Sequence, residues 1–130
     1  MRYTGETGQY HSWTQMTDIR TVFWVVQKTG SNTNMLLLGD SSNYFFHPNG
    51  AGAMWHPSLG PVANVRGGTT KINGTTVNGT STGIPTSLSV ISLKTSGNVT
   101  ASNFADDRQI VQSGVNRVFE GDLGELLLFN

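Results

Sequence analysis

The sequence predicts an all-β protein built as two packed antiparallel sheets, and three observations lead there. Short β-branched or aromatic runs are separated by polar clusters rich in Gly, Ser, Thr and Asn, at hairpin spacing. An Asn-Gly pair at 73–74 sits between Thr-Lys-Ile and Thr-Thr-Val, the strongest short-range hairpin signal a chain can carry. No segment has the 3.6-residue apolar period of an amphipathic helix, and no repeat of fixed period occurs.

Residues 1–9 read as a loose arm, and residues 10–16 (YHSWTQM) as a weakly alternating edge strand that Thr17 and Asp18 break. Residues 21–26 (TVFWVV) are β-branched and aromatic without polar alternation, the pattern of a central strand covered on both faces, with Trp24 in the core. The turn cluster at 28–34 returns the chain into a second apolar strand at 35–38, predicting a hairpin. Short strands are expected at 44–46 and 53–56, the latter bounded by Pro57, and another near 63–66 among the breakers Gly60-Pro61 and Gly67-Gly68. After the Asn73-Gly74 hairpin and the loop at 78–85, residues 88–93 (LSVISL) resume as a strand, and Gly97-Asn98 turns the chain into 99–101. Residues 106–114 form a polar connection.

The last fourteen residues, RVFEGDLGELLLFN, join an aromatic, a glycine-punctuated acidic segment and the apolar run 126–129. That run is too short for an ordinary helix and reads as a strand covered on both faces, so the chain ends in its own interior. The total is about ten short strands, which favours a jelly-roll sandwich, with a Greek-key sandwich as the alternative.

At 130 residues the chain has the length of one domain. Its formal net charge is zero and 12% of its residues are charged, so it has no electrostatic footprint for nucleic acid or anionic membranes. No apolar run approaches membrane-spanning length, the first residues lack a signal peptide's basic start and apolar core, and there is no cysteine for a disulfide or thiolate site. Ending on a core strand fits a module cut from a longer chain.

Phe119, Gly121, Asp122, Leu123, Glu125 and residues 126–130 resemble the closing strand of laminin-G-like, concanavalin A-like jelly-roll domains. Asp107-Arg108 is similar to that family's acidic-Arg pair, and residues 20–27 (RTVFWVVQ) to its early core strand. The resemblance spans residues 19–130. It implies a non-catalytic recognition module that binds glycan or another surface ligand through loops or one sheet face. It also implies one Ca²⁺ held by loop carboxylates, for which Asp40, Asp106 and Asp107 are the candidates, although Asp-rich turns also arise for backbone reasons. A second reading is a structural or decoration component of a virion or other surface assembly, in contact with other protein subunits. Both place the protein outside the cell or on a virion surface.

For sugar binding, Trp55 in its glycine-rich, proline-bounded setting is the best stacking residue, with Tyr44, Asn43, His56 and Trp13 as weaker candidates. Trp55 reads at least as well as a rim residue capping the sandwich. His47 and His56 lie in matched His-Pro contexts and face each other across a turn, but two imidazoles without a third ligand make a poor metal site. Glu120, Asp122 and Glu125 match the E-x-D-x-x-E spacing of the laminarinase and lichenase group of retaining glycoside hydrolases, a resemblance that implies Glu120 as nucleophile and Glu125 as acid/base. Strand alternation points residues 120 and 125 to opposite faces unless one extra residue is bulged in, and Gly121 or Gly124 can supply it. The non-catalytic reading makes Glu125 a largely buried carboxylate satisfied by backbone N–H groups, Arg108 or Arg117. The chain carries no Gly-x-Ser-x-Gly elbow and no Walker spacing, and the Asn-x-Thr triplets at 73, 78 and 98 are expected by chance in so Asn- and Thr-rich a chain.

Overall fold

The computed structural model describes residues 1–6, 9–40, 43–106 and 117–130. The protein is all-β: six strands form one antiparallel sheet in the order β1-β6-β2-β5-β3-β4. These are β1 (Arg2–Thr4), β2 (His11–Lys28), β3 (Thr69–Ile72), β4 (Thr75–Val77), β5 (Ser89–Phe104) and β6 (Glu120–Phe129). No second sheet forms among the described residues.

Two long strands replace four expected short ones. Thr17 and Asp18 do not break β2: both are exposed, at the register irregularity between Met16 and Ile19, where polar side chains are compatible with a strand. Likewise Gly97-Asn98 continues β5 instead of turning it. Straight, the 18 residues of β2 would span roughly 56 Å from first to last Cα. The strand curls instead, as contacts at its two ends show. Tyr3 pairs with Gly121, which lies opposite Lys28 at the end of β2, yet the Tyr3 ring sits 6.0 Å from that of His11 at its start and 5.1 Å from that of Phe104. Register irregularities between Ser12 and Thr21 provide the bend, since each unpaired residue kinks and twists its strand.

The concave side of the curl holds the core. Val22, Trp24 and Val26 of β2 and Ile91 and Leu93 of β5 face inward, and Val99, Ala101 and Phe104 from the far half of β5 close over them. The stretches expected as strands at 35–38, 44–46 and 53–56 fill the space between without joining the sheet. Met35, Leu36, Leu37 and Leu38 are all buried, and the segment is tied by Leu36 N–H to the Arg117 carbonyl and by a single bridge from Gly39 to Asn103. Phe46 and Trp55 pack edge-on and tilted against Trp24, with centroids 6.2 and 6.1 Å away. Apolar runs mark burial, but these bury by plugging the curl, so the hairpin expected of 21–26 and 35–38 is absent. Residues 63–66 are a single helical turn, Ala63–Arg66, after a 3₁₀ turn at Gly60–Val62 that carries Pro61 near its start, and not a strand.

The Asn73-Gly74 turn forms as expected, with φ of 49° and 83°. The arm at 1–9 is not loose at its start. Its residues 2–4 pair with β6, the terminal ammonium donates to the Leu123 carbonyl at 2.6 Å, and Leu123 N–H donates back to Met1 at 2.8 Å.

Candidate functional site

The closing strand carries the acidic constellation. Val25 lies opposite Glu125 while Val26 lies opposite Leu123, so Gly124 is the extra residue of a bulge. This slip of one residue brings Glu120, opposite Thr4, and Asp122, opposite Gln27, to the same outward face as Glu125. The three carboxylates of the E-x-D-x-x-E spacing therefore share a face, by the bulge that the spacing required.

Two of them are engaged there. Asp122 accepts both arms of the Arg2 guanidinium, from Nε at 2.9 Å and Nη2 at 2.8 Å. Glu120 lies against two glycines: an added Cβ at Gly5 would sit 3.4 Å from its side chain, and one at Gly30 would collide with its carboxylate. Its carbonyl accepts from the N–H groups of Thr29 and Gly30. Glu125 is exposed, which corrects the buried carboxylate paired with an arginine. The outer side of a curled sheet is convex, and Glu125 stands exposed on it.

The hydrogen bonds from Arg2 hold the Asp122 carboxyl below its ordinary value of 3.8. A carboxylate with a depressed folded pKa adds stability that is present above its unfolded pKa and lost as pH falls through the folded one. The β1–β6 clasp should thus weaken only in acid below pH 3.8. An NMR titration of Asp122 will show a midpoint under that of a free aspartate, and Arg2→Ala will move it upward; equal midpoints in both proteins would remove the clasp.

The aromatic candidates separate. Trp55 is 1% exposed, its Nε1 donates to Thr70 Oγ1 at 2.9 Å, and its ring lies against Gly79, where a Cβ would collide with it. It has no face for a sugar. Tyr44 and His56 do converge, each beside His47, with centroids 6.1 and 6.2 Å away, so the two histidines meet as expected. The His56 Nδ1 is occupied, accepting from the N–H groups of Ser58 at 3.2 Å and Leu59 at 3.0 Å. Asn43 donates its backbone N–H to Asp40 at 3.1 Å in a turn, and Trp13 is half-buried.

For the calcium reading, Asp40 is 1% exposed and accepts from Gln15 Nε2 at 2.6 Å. Asp106 is placed by its own N–H, which donates to the Asn103 side chain at 3.3 Å. Asp107, like Arg108, lies outside the described residues. No group of three or more His, Cys, Asp or Glu side chains forms a metal site among the described residues.

The feature that composition did not reveal is the outward face of the sheet itself. Register assembles it in rows: Glu125, Val25 and Val90; Leu127, Phe23, Ser92, Lys71 and Thr76; Phe129, Thr21, Lys94 and Thr69. Phe23 is 36% exposed, Leu127 40%, Val90 43% and Phe129 49%, and Phe23 and Phe129 meet edge-on at 6.1 Å. Leu88, 61% exposed, stands just ahead of β5. The runs TVFWVV and LLLF thus have one covered side, and the chain does not finish in its interior. The legible signal was Lys71, Lys94 and Glu125, whose charges belong in water and lie in strands flanking these runs. The chain matches no family model, no curated protein and no solved structure.

Proposed function

We propose that this chain is a structural interaction module, which docks the convex face of its sheet against a protein surface in a larger assembly. The observation carrying this reading is the run of outward Phe23, Val90, Leu127 and Phe129 across three adjacent strands. Exposed apolar residues scattered singly need no explanation, but neighbours on one sheet face make a contiguous patch, which marks an interaction surface. Phenylalanine and aliphatic side chains suit the core of a protein interface, while a sugar platform needs Trp or Tyr ringed by hydrogen-bonding groups. The inward position of Trp55 leaves the glycan reading without its platform. The laminin-G-like, jelly-roll reading of residues 19–130 belongs to the same proposal: the insertion of β6 between β1 and β2 supports it, and a docked partner would supply a second layer over the open face.

The bulge at Gly124 is the one observation favouring a hydrolase, since it aligns Glu120, Asp122 and Glu125. The Arg2 clasp on Asp122 and the convex, open setting favour a structural role for that segment.

The paired substitution Phe23→Thr with Leu127→Thr keeps β-propensity while removing the apolar stripe. The wild type is expected to associate as concentration rises and to bind an apolar dye such as bis-ANS; the variant should do neither while keeping its circular dichroism spectrum. A wild type that stays at 14.0 kDa and ignores the dye would overturn the reading.

A further inference from the structure

From the distribution of charge on the convex face we infer that its occupant is a second copy of this chain, packed about a two-fold axis that sets Glu125 of each copy against Lys71 of the other. The inference rests on the interaction-face reading and specifies the partner.

Charge is divided across the face. Glu125 lies on β6, to one side of the apolar β2 stripe, and Lys94 and Lys71 lie on β5 and β3, to the other. All three are exposed. A two-fold axis lying between two packed sheets, parallel to the strands and between β2 and β5, exchanges the two flanks. It lays β6 of one copy over β3 of its partner and β2 over β5. Phe23 then falls on the Ser92 position of the other copy, apolar against small, Val25 falls on Val90, and each acidic flank meets a basic one. Glu125 and Lys71 are one row apart along the strands, about 7 Å, a span that a lysine side chain covers. An isologous contact of this kind needs a self-complementary surface, and a chain of zero net charge with opposite charges on opposite flanks provides it.

The area is adequate for a reversible dimer. With strands about 4.8 Å apart and about 3.4 Å per residue, the strands that carry these rows, β6 to β4, present on the order of 400 Å² in projection. Side-chain relief brings this toward, without reaching, the roughly 800 Å² per partner of a standard interface. A dimer in the micromolar range is the corresponding expectation.

Sedimentation or light scattering from about 1 to about 300 µM brackets that range. The mass should rise from one chain and level off at two. Glu125→Lys and Lys71→Glu, each reversing an exposed charge, should each weaken the dimer about fivefold or more, and the two together should restore it. Circular dichroism checks that each variant is folded. Association that passes beyond two chains, or that is abolished by Phe23→Thr with Leu127→Thr yet indifferent to all the charge variants, overturns this pairing and leaves the interaction face standing. So does a wild type that binds bis-ANS but stays monomeric throughout. A monomer that also ignores the dye overturns both.

Discussion

Replacing Trp55 by alanine should lower the stability of the protein by about 3–5 kcal/mol, the range for removing a buried tryptophan. The indole is enclosed by Trp24, Phe46 and Gly79, and its Nε1 hydrogen bond satisfies the hydroxyl of Thr70, itself 4% exposed. Truncation opens a cavity and leaves that hydroxyl without its donor. It also removes the surface on which residues 78–82 rest; Trp55 N–H donates to the Gly79 carbonyl and Met54 N–H to that of Thr82. Against a typical total of about 5–15 kcal/mol such a loss is large, and it corresponds to a fall in Tm of about 10–20 °C. Urea and thermal unfolding measure it directly. A variant as stable as the wild type would place the indole at the surface, where the sugar-binding reading had it.

Gly121→Ala should destabilise through the opposite fault, too much volume. Gly121 is buried between Tyr3 of β1 and Lys28 of β2, and an added Cβ would run into the Gln27 carbonyl oxygen and come within 3.0 Å of the Phe119 ring. Overpacking of this kind costs about 1–3 kcal/mol, and valine should cost more than alanine. The damage should concentrate where β6 joins its neighbours, so amide exchange in β1 will accelerate more than exchange in the β3–β4 hairpin. Gly60→Ala is the matched control, since nothing lies within 4 Å of a Cβ there. If the two substitutions cost the same, the close approach at Gly121 does not exist.

What could be read in advance was what short-range chemistry determines. Asn73-Gly74 adopts positive φ at both positions, a local preference that needs no tertiary partner. The strand character of 120–129 and the need for a bulge within E-x-D-x-x-E follow from alternation alone. The run at 35–38 was read correctly as buried but wrongly as paired: it is nearly as buried as Trp24, while the one bridge to the sheet nearby is made by Gly39. Periodicity reports which side chains leave water, and is silent on whether a backbone finds its hydrogen bonds in a neighbouring strand or in isolated contacts. The continuity of β2 through Thr17-Asp18 was hidden for a related reason, since exposed polar residues look the same in a strand and in a turn.

The acidic segment shows the same division. Its alignment on one face was legible once Gly124 was allowed to bulge, but the capture of Asp122 by Arg2 depends on a contact across 120 residues of chain. The open face was missed because a run such as TVFWVV looks doubly covered until its partners are known; only the register reveals that Phe23 shares a row with Ser92 and Lys71.

The meeting of Met1 with Leu123 bears on how the molecule is made. In synthesis β1 leaves the ribosome well before the strand it must clasp, and β2 is complete while β6, which pairs with its residues Thr21 to Lys28, is still untranslated. Until β6 arrives, β2 offers an unpaired edge from Thr21 to Lys28, the kind of template that recruits other nascent chains. Pairings this distant in sequence also form slowly, because the loop between them must be closed before any contact rewards it. Yield in a cell should therefore depend on shielding by chaperones, and on how quickly the codons of β6 are read.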